Sequence, residues 1–267
     1  MGEVLGTAEL TLAAEFVAAH GDAFARARAY ALIPNSAADL APDSVSEVVA
    51  SACADQQPDG GFPATWSGGR SSLDATCYRI SQLVDFPIEA ATPIDQAIRF
   101  IATKQRPDGP FEEDAAFGGA PPAWARPYDP AARIYMTANC AHWLDRLGGQ
   151  PRAVRRSAAY LATAIGPDGR LPSYLHAQWL AAPVLRHRGY AAETDRLLWA
   201  LAYRVNSLGP SALAWLADAI PDEPIASEAR LRLLDAQQAD GRWISEDGPE
   251  HDVGATLAAL RALAPAR

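Results

Sequence analysis

The sequence predicts an all-α protein assembled from repeated helical hairpins, and three observations predict it. The turn QQPDGGF at 56–62 returns as KQRPDGPF at 104–111, IGPDGRL at 165–171 and QQADGRW at 237–243, and a motif that keeps returning along a chain marks a repeat architecture. Around these turns the apolar residues recur at helical spacing, with no convincing alternating strand pattern. Cap and stop residues bracket the helical stretches.

In order, twelve helices are expected, near 8–19, 22–33, 43–55, 72–85, 93–105, 130–147, 151–165, 174–188, 191–205, 210–219, 223–238 and 252–264. Ser44 followed by Glu47 fits a capping box for the third. Thr92 reads as the cap of the fifth and Pro93 as its first residue, with Ile94, Ile98 and Ile101 on one face. Asp129-Pro130 opens the sixth, and Gly148 closes it. Val154, Ala158, Leu161 and Ile165 stripe the seventh until Gly166 stops it. Pro183 is expected to kink or break the eighth.

In each turn the Asp can accept from a backbone N–H two residues on, and the Gly allows positive φ, so the chain reverses sharply. The apolar residue that follows (Phe62, Phe111, Leu171 or Trp243) can tuck back under the turn. The gap between the third and fourth turns is the widest, with room for a helix pair that lacks the motif. Twelve helices in two layers can close into a ring of six hairpins. An open superhelix is the other arrangement the pattern permits. The longest irregular stretch, 106–129, contains Glu112-Glu113-Asp114 and GGAPPAWARPYDP, and loops of that length in a compact domain are usually functional or disordered. Its Gly118-Gly119 and Pro121-Pro122 pairs, with Phe117, Trp124 and Tyr128, read as a lid. The acidic run lacks the regular spacing of a Mg²⁺–diphosphate site and reads as a solvated loop.

Composition narrows the function classes. The chain has 267 residues, 49% of them hydrophobic, enough for a sizeable core. Its 32 acidic against 23 basic residues give a net charge of −9, which argues against nucleic acid or an anionic membrane surface as partner. No run approaches the roughly 18 apolar residues of a membrane span, and MGEVLGTAEL lacks the regions of a signal peptide. Cys53, Cys77 and Cys140 are odd in number and widely spaced, which suits a reducing compartment. The expectation is one domain over 1–267, cytoplasmic, with no cofactor. No P-loop, G-x-S-x-G, Cys-x-x-Cys or H-E-x-x-H motif is present.

The combination of Q-x-P-D-G-G-F with a following helix that reads Ser71-Ser72-Leu73-Asp74-Ala75-Thr76-Cys77-Tyr78 resembles the repeats of squalene and other class II terpene cyclases and of protein prenyltransferase β-subunits. It recurs as QQADGRW with HDVGATLAALRAL. The resemblance covers most of 43–265, is weak between 175 and 222, and implies an (α/α)6 toroid with an inner and an outer ring. Prenyltransferases hold zinc with an Asp and a Cys before a Tyr and a His before a Thr. Here Cys77-Tyr78 match while Ala75 and Ala255 occupy the other two positions, so no metal is expected. Class II cyclases use Asp-x-Asp-Asp-Thr, whose middle Asp protonates an alkene or epoxide. Aligned on Thr76, Asp74 is that Asp and both flanking acids are lost. These cyclases also usually have a second α-barrel domain, for which this chain is too short.

Protonating an alkene requires a carboxylic acid that stays protonated in a dry cavity. Asp74 falls in a first helical turn, where the dipole favours the ionised form, so either desolvation or an acidic neighbour has to oppose it. A plain helix N-terminal acid is the other reading. Beside the apolar stripes run polar ones: Asp74, Tyr78, Ser81 and Asp85; Tyr135, Asn139, His142 and Arg146; and His176, Trp179, Pro183 and His187. They are candidate cavity linings. Aromatic faces stabilise cations, and Trp66, Tyr78, Trp124, Tyr128, Tyr135 and Trp179 are the available rings, with Trp143 on another face. His142 or His176 could orient Asp74. The expected activity is acid-initiated cyclisation or isomerisation of an isoprenoid or similar apolar polyene, with Asp74 as acid. A non-catalytic toroid that binds an apolar ligand or a partner protein, and a cyclase that works on a non-terpenoid substrate by shape, are the alternatives.

Overall fold

The computed structural model describes residues 7–33, 42–88, 90–118 and 120–264. Among them are twelve α-helices: α1 Thr7–His20, α2 Ala23–Leu32, α3 Pro42–Ala52, α4 Leu73–Leu83, α5 Ala91–Thr103, α6 Pro130–Arg146, α7 Pro151–Ala164, α8 Leu175–His187, α9 Ala191–Ala202, α10 Pro210–Ala219, α11 Pro224–Ala236 and α12 Asp252–Leu263. The protein is mostly helical. The described extended structure is one antiparallel pair of two-residue strands, β1 Phe62–Pro63 and β2 Ser71–Ser72, which the sequence did not signal.

Local chemistry sets the helix ends. Asp22 Oδ1 accepts from Ala25 N at 2.7 Å ahead of α2, and Asp129 Oδ1 accepts from Ala132 N at 2.8 Å ahead of α6, whose first residue is Pro130. Two expected caps differ. α5 begins at Ala91, after Ala90, so Thr92 lies inside it and caps nothing. α3 begins at Pro42, which puts Ser44 inside the first turn; the position before Pro42 lies outside the described residues. α8 runs unbroken through Pro183.

The chain divides into two compact units, Cys53–Tyr203 and the pair Met1–Ala52 with Arg204–Arg267. In the first, α4, α6 and α8 pack in succession, and α5, α7 and α9 lie against them as a second layer. Its core holds Phe62, Ile80, Phe100, Ile101, Phe111, Trp143 and Trp179, all with 2% exposure or less. In the other unit, α10, α12 and α2 form the succession, and α11, α1 and α3 pack alongside, around Val49, Leu216, Leu233 and Trp243. In the first unit, then, the three helices that follow the Asp-Gly turns, α4, α6 and α8, share one layer.

The turns are fastened in a common way. Gln56, Gln105 and Gln237 each donate from Nε2 to the carbonyl of the turn glycine and to a carbonyl of another helix: Pro93, Ala153 and Glu9, all at 2.8–3.0 Å. The third turn has Ile165 in that place and lacks the staple. The expected Asp bond two residues on forms at Asp59, Asp168 and Asp240. In the second turn that position is Pro110, which has no N–H. Gly109 has φ +109, and a Cβ there would stand 2.6 Å from the Arg156 carbonyl oxygen, so only glycine lets this turn lie against α7.

Candidate active site

The site is built on the start of α4, inside the unit Cys53–Tyr203. Ser72 caps the helix, its Oγ accepting from Ala75 N at 3.1 Å. The same hydroxyl donates to Glu113 Oε1 at 2.6 Å. Glu113 also accepts from Asp74 N at 2.9 Å and Leu73 N at 3.1 Å. The N–H groups left free at a helix start are therefore met by a carboxylate from the loop 106–129, a position the helix dipole favours.

The Asp74 side chain is held by two other elements. Trp124 Nε1, in a 3-10 turn at Ala123–Ala125, donates to Asp74 Oδ2 at 3.1 Å. The Tyr135 hydroxyl, from α6, donates to Asp74 Oδ1 at 3.3 Å. One helical turn further along α6, Asn139 Nδ2 donates to the Tyr135 oxygen at 3.3 Å. The ring of Tyr174 stands edge-on to Tyr135, centroids 6.1 Å apart. Beneath, Cys77 and Cys140 bring their thiols to 3.8 Å, both fully buried and free.

Burial pushes the Asp74 carboxyl above its ordinary value, and the hydrogen bonds from Trp124 and Tyr135 oppose that rise only in part. Burial likewise raises Glu113 against its three hydrogen bonds, and the negative charge of Asp74 adds to the rise. Tyr135 is pushed well up by burial and then by Asp74, so its phenol keeps its proton and acts as a donor. Each Asp74 oxygen accepts one hydrogen bond, which leaves lone-pair positions on both for an acid proton. A carboxyl of this kind can hold a proton above the usual range and release it to an apolar acceptor. The two donors then stabilise the carboxylate left behind.

Of the residues singled out in the sequence, this network gathers Asp74, Trp124, Tyr135 and Asn139. The others lie outside it. Trp66 is half-buried and stacks edge-on with Phe117 at 5.2 Å, which Arg70 covers at 4.5 Å. Tyr78 and Tyr128 are 59% and 70% exposed. His142 is buried edge-on to Trp143 at 5.1 Å. His176 is exposed and meets Trp179 at 4.8 Å, and Trp179 is wholly buried. The donors on Asp74 are thus an indole and a phenol rather than the histidines.

Two of the three residues of the acidic run, Glu112 and Glu113, are turned away from solvent, while Asp114 is exposed as expected. The Glu112 side chain, 7% exposed, accepts from Arg133 at 3.0 Å, from Arg106 at 3.4 Å and from Tyr128 N. Glu113 is 5% exposed, and Asp114 caps the turn Ala115–Phe117 by accepting from Ala116 N at 2.8 Å. Nothing in the run itself marked Glu113, since the residues that follow it, Asp114, Ala115 and Ala116, are exposed. Gly119 lies outside the described residues.

No protein-family model matches the chain. Over 136 residues it is 33% identical to a drimenyl diphosphate synthase of Streptomyces showdoensis, a match that takes in 48% of this chain and 24% of that enzyme. A drimenyl diphosphate synthase of Streptantibioticus cattleyicolor is 27% identical over 156 residues, covering 43% of this chain and 29% of its own. The matches therefore span less than a third of the length of these curated relatives. In fold, 91% of the chain superposes on 85% of the ligand-free type II terpene cyclase MstE from Scytonema, with TM-score 0.58 and 15% identity. A variant of MstE in complex with geranylgeranyl dihydroxybenzoate, its substrate, gives TM-score 0.56 at 16% identity over the same shares. A protein from Actinoplanes gives 0.58 at 18% identity, covering 90% of this chain and 87% of that one. Those likenesses carry the fold, and the sequence matches carry part of the chain. In fold the chain is similar to type II terpene cyclase, and over part of its length its sequence is similar to drimenyl diphosphate synthase.

Proposed function

We propose that the chain is a class II terpene-cyclase-like enzyme on an (α/α)6 toroid, one domain over 1–267, in which Asp74 starts the reaction by protonating an alkene of an isoprenoid substrate. The observation that carries this reading is the Asp74 carboxyl, raised by burial and held by Trp124 and Tyr135. It stands at the position of the middle acid of the family motif. The fold likeness to type II terpene cyclase and the part-length matches to drimenyl diphosphate synthase support an isoprenoid as the substrate class.

In this reading the Asp74 O–H bond breaks as a C–H bond forms on the alkene, and the positive charge passes to the neighbouring carbon. Ring closure moves it along the chain until a proton is lost or water adds. Tyr135 and Trp124 stabilise the Asp74 carboxylate, and Asn139 fixes the orientation of the Tyr135 hydroxyl. Trp66, Tyr78, Tyr128, His142, His176 and Trp179 are proposed as the lining or support of the substrate path, and the loop 106–129 as its lid, in a protein that works without metal and in the cytoplasm.

The test is to incubate the purified protein in D₂O with farnesyl and geranylgeranyl diphosphate and with a geranylgeranylated aromatic acid. Products are analysed by mass spectrometry. A cyclic product carrying one solvent deuteron on carbon at the initiating end is expected. Absence of any cyclic product from this panel, while the protein still binds these compounds, would favour a non-catalytic apolar-ligand protein.

A further inference from the structure

Glu113 has no counterpart in the family motif as this sequence carries it, because Ser72 and Ala75 stand where flanking acids would be. Yet its carboxylate, 5% exposed, sits against the main chain of the very residue proposed as the acid, accepting from Asp74 N at 2.9 Å and from Leu73 N and Ser72 Oγ. We infer that Glu113 is a positioning residue for Asp74: a carboxyl supplied by the loop that fixes the first turn of α4 and competes with Asp74 for a single negative charge. This rests on the proposed role of Asp74.

Three features of the geometry support the division of labour between the two acids. Glu113 accepts three hydrogen bonds, two of them from backbone N–H groups at a helix start, so of the pair it is the better site for the negative charge. Asp74 accepts two, one from Trp124, which is 45% exposed. Two neighbouring carboxyls, one buried and one half-buried, do not both ionise readily, so charge on either disfavours charge on the other. The other titratable groups that face the pair are Cys77 on α4 and Tyr135 and Cys140 on α6, and burial raises both Tyr135 and Cys140, keeping them neutral. The loop that carries Glu113 also carries Trp124, so one segment both ties down the helix start and supplies a donor to the acid.

The experiment compares wild type, Glu113→Gln and the double variant Ser72→Asp/Glu113→Gln. The Asp74 carboxyl is followed by ¹³C NMR through a pH titration, its resonance identified by its loss in Asp74→Asn. In Glu113→Gln the Asp74 midpoint is expected to move down. In the assay described above, kcat should fall about tenfold or more with KM little changed, and the high-pH fall in rate should move to lower pH. The double variant returns a carboxylate to the start of α4, where Asp is a good cap, and should move the midpoint back up. An unchanged Asp74 midpoint in a folded Glu113→Gln protein overturns the inference. Should the single variant fail to fold, a double variant whose midpoint lies at the ordinary value overturns it equally. The titration needs no substrate, so it distinguishes this failure from failure of the cyclase reading, which full turnover in Asp74→Asn would show.

Discussion

The repeat at 56–76 and the repeat at 237–256 belong to different units, and they use the same fastenings. In one, Thr76 Oγ1 accepts from Phe62 N at 2.9 Å; in the other, Thr256 Oγ1 accepts from Trp243 N at 3.1 Å. Both apolar residues are buried, and a Gln staples each turn to another helix. The repeats part company in the residues just before the threonine. Four positions before Thr256 stands Asp252, 3% exposed, which accepts from Ser245 N at 2.8 Å and from Arg242 at 3.2 Å. Four before Thr76 stands Ser72, and the carboxylate comes from Glu113 instead. Two before Thr256 is Gly254; two before Thr76 is Asp74. One repeat thus carries a buried acid met by a cation. At the other, Asp74 and the loop's Glu113 accept from neutral donors. The common parts build the hairpin, and the departures decide whether an acid meets a cation or neutral donors.

The strongest way to break this contrast is to remove each acid in turn. Asp74→Asn should lower turnover by roughly 10²–10⁴-fold, the range for loss of a general acid, with ligand binding and melting temperature little changed. Asp252→Asn should leave turnover within a few-fold of wild type. A rate measurement on the two purified variants decides it; comparable losses in both would mean that the contrast has no bearing on chemistry.

The same substitution at Asp252 sharpens the contrast in stability. It removes the charge from a buried group that holds Arg242 and Ser245, and should cost on the order of 1–2 kcal/mol, with the partial exposure of Arg242 (38%) keeping the figure modest. Differential scanning calorimetry should therefore show a lower melting temperature for Asp252→Asn than for Asp74→Asn. Where the repeats agree, the effects should agree too. Thr76→Val and Thr256→Val each leave a buried N–H without its acceptor, at about 1–3 kcal/mol apiece. A loss confined to one of them would show that the fastening is not shared.

Most of the fold was legible in the sequence because helix spacing, caps and turn residues are local. All twelve helices fall close to their expected positions, and Asp129-Pro130 and Gly148 mark α6 as read. The misread details are those that tertiary contacts decide. Thr92 offered a cap, but the chain was already helical from Ala91; Pro183 offered a break, but α8, packed along α6, continues through it. Asp74, Tyr135 and Asn139 were legible as stripe residues, since one helix face follows from spacing. That Tyr135 and Trp124 are the donors on Asp74 joins three elements and could not be read from any one of them. Glu113 was misread for the same reason. An acidic run in a loop looks solvated until the loop is folded over a helix start that lacks acceptors.

The smallest expected effect tests the contrast most directly, through pH. The folded-state pKa of Asp74 is raised above its ordinary 3.8 by burial. Between the ordinary and the raised value the folded state binds more protons than the unfolded one, so stability falls as pH rises through that window. Asp74's contribution is fully present below the ordinary value and is lost above the raised one. Asp74→Asn does not titrate, so its melting temperature should gain on wild type as pH rises through the window, then run parallel above it. Glu113 is also raised and has the same sign, so a residual fall with pH should persist in the variant. The hydrogen bonds from Trp124 and Tyr135 oppose the shift, and the partial exposure of Asp74 softens it, which is why the gain should be small. The protonation that favours the fold also supplies the acid, so turnover should decline over the same pH range. Melting curves of both proteins from pH 3 to 8 give the answer. If wild type instead gains on Asp74→Asn with rising pH, Asp74 is stabilised as an anion. It would then be an ordinary helix-start acid, and neither acid repeat would hold a proton for chemistry.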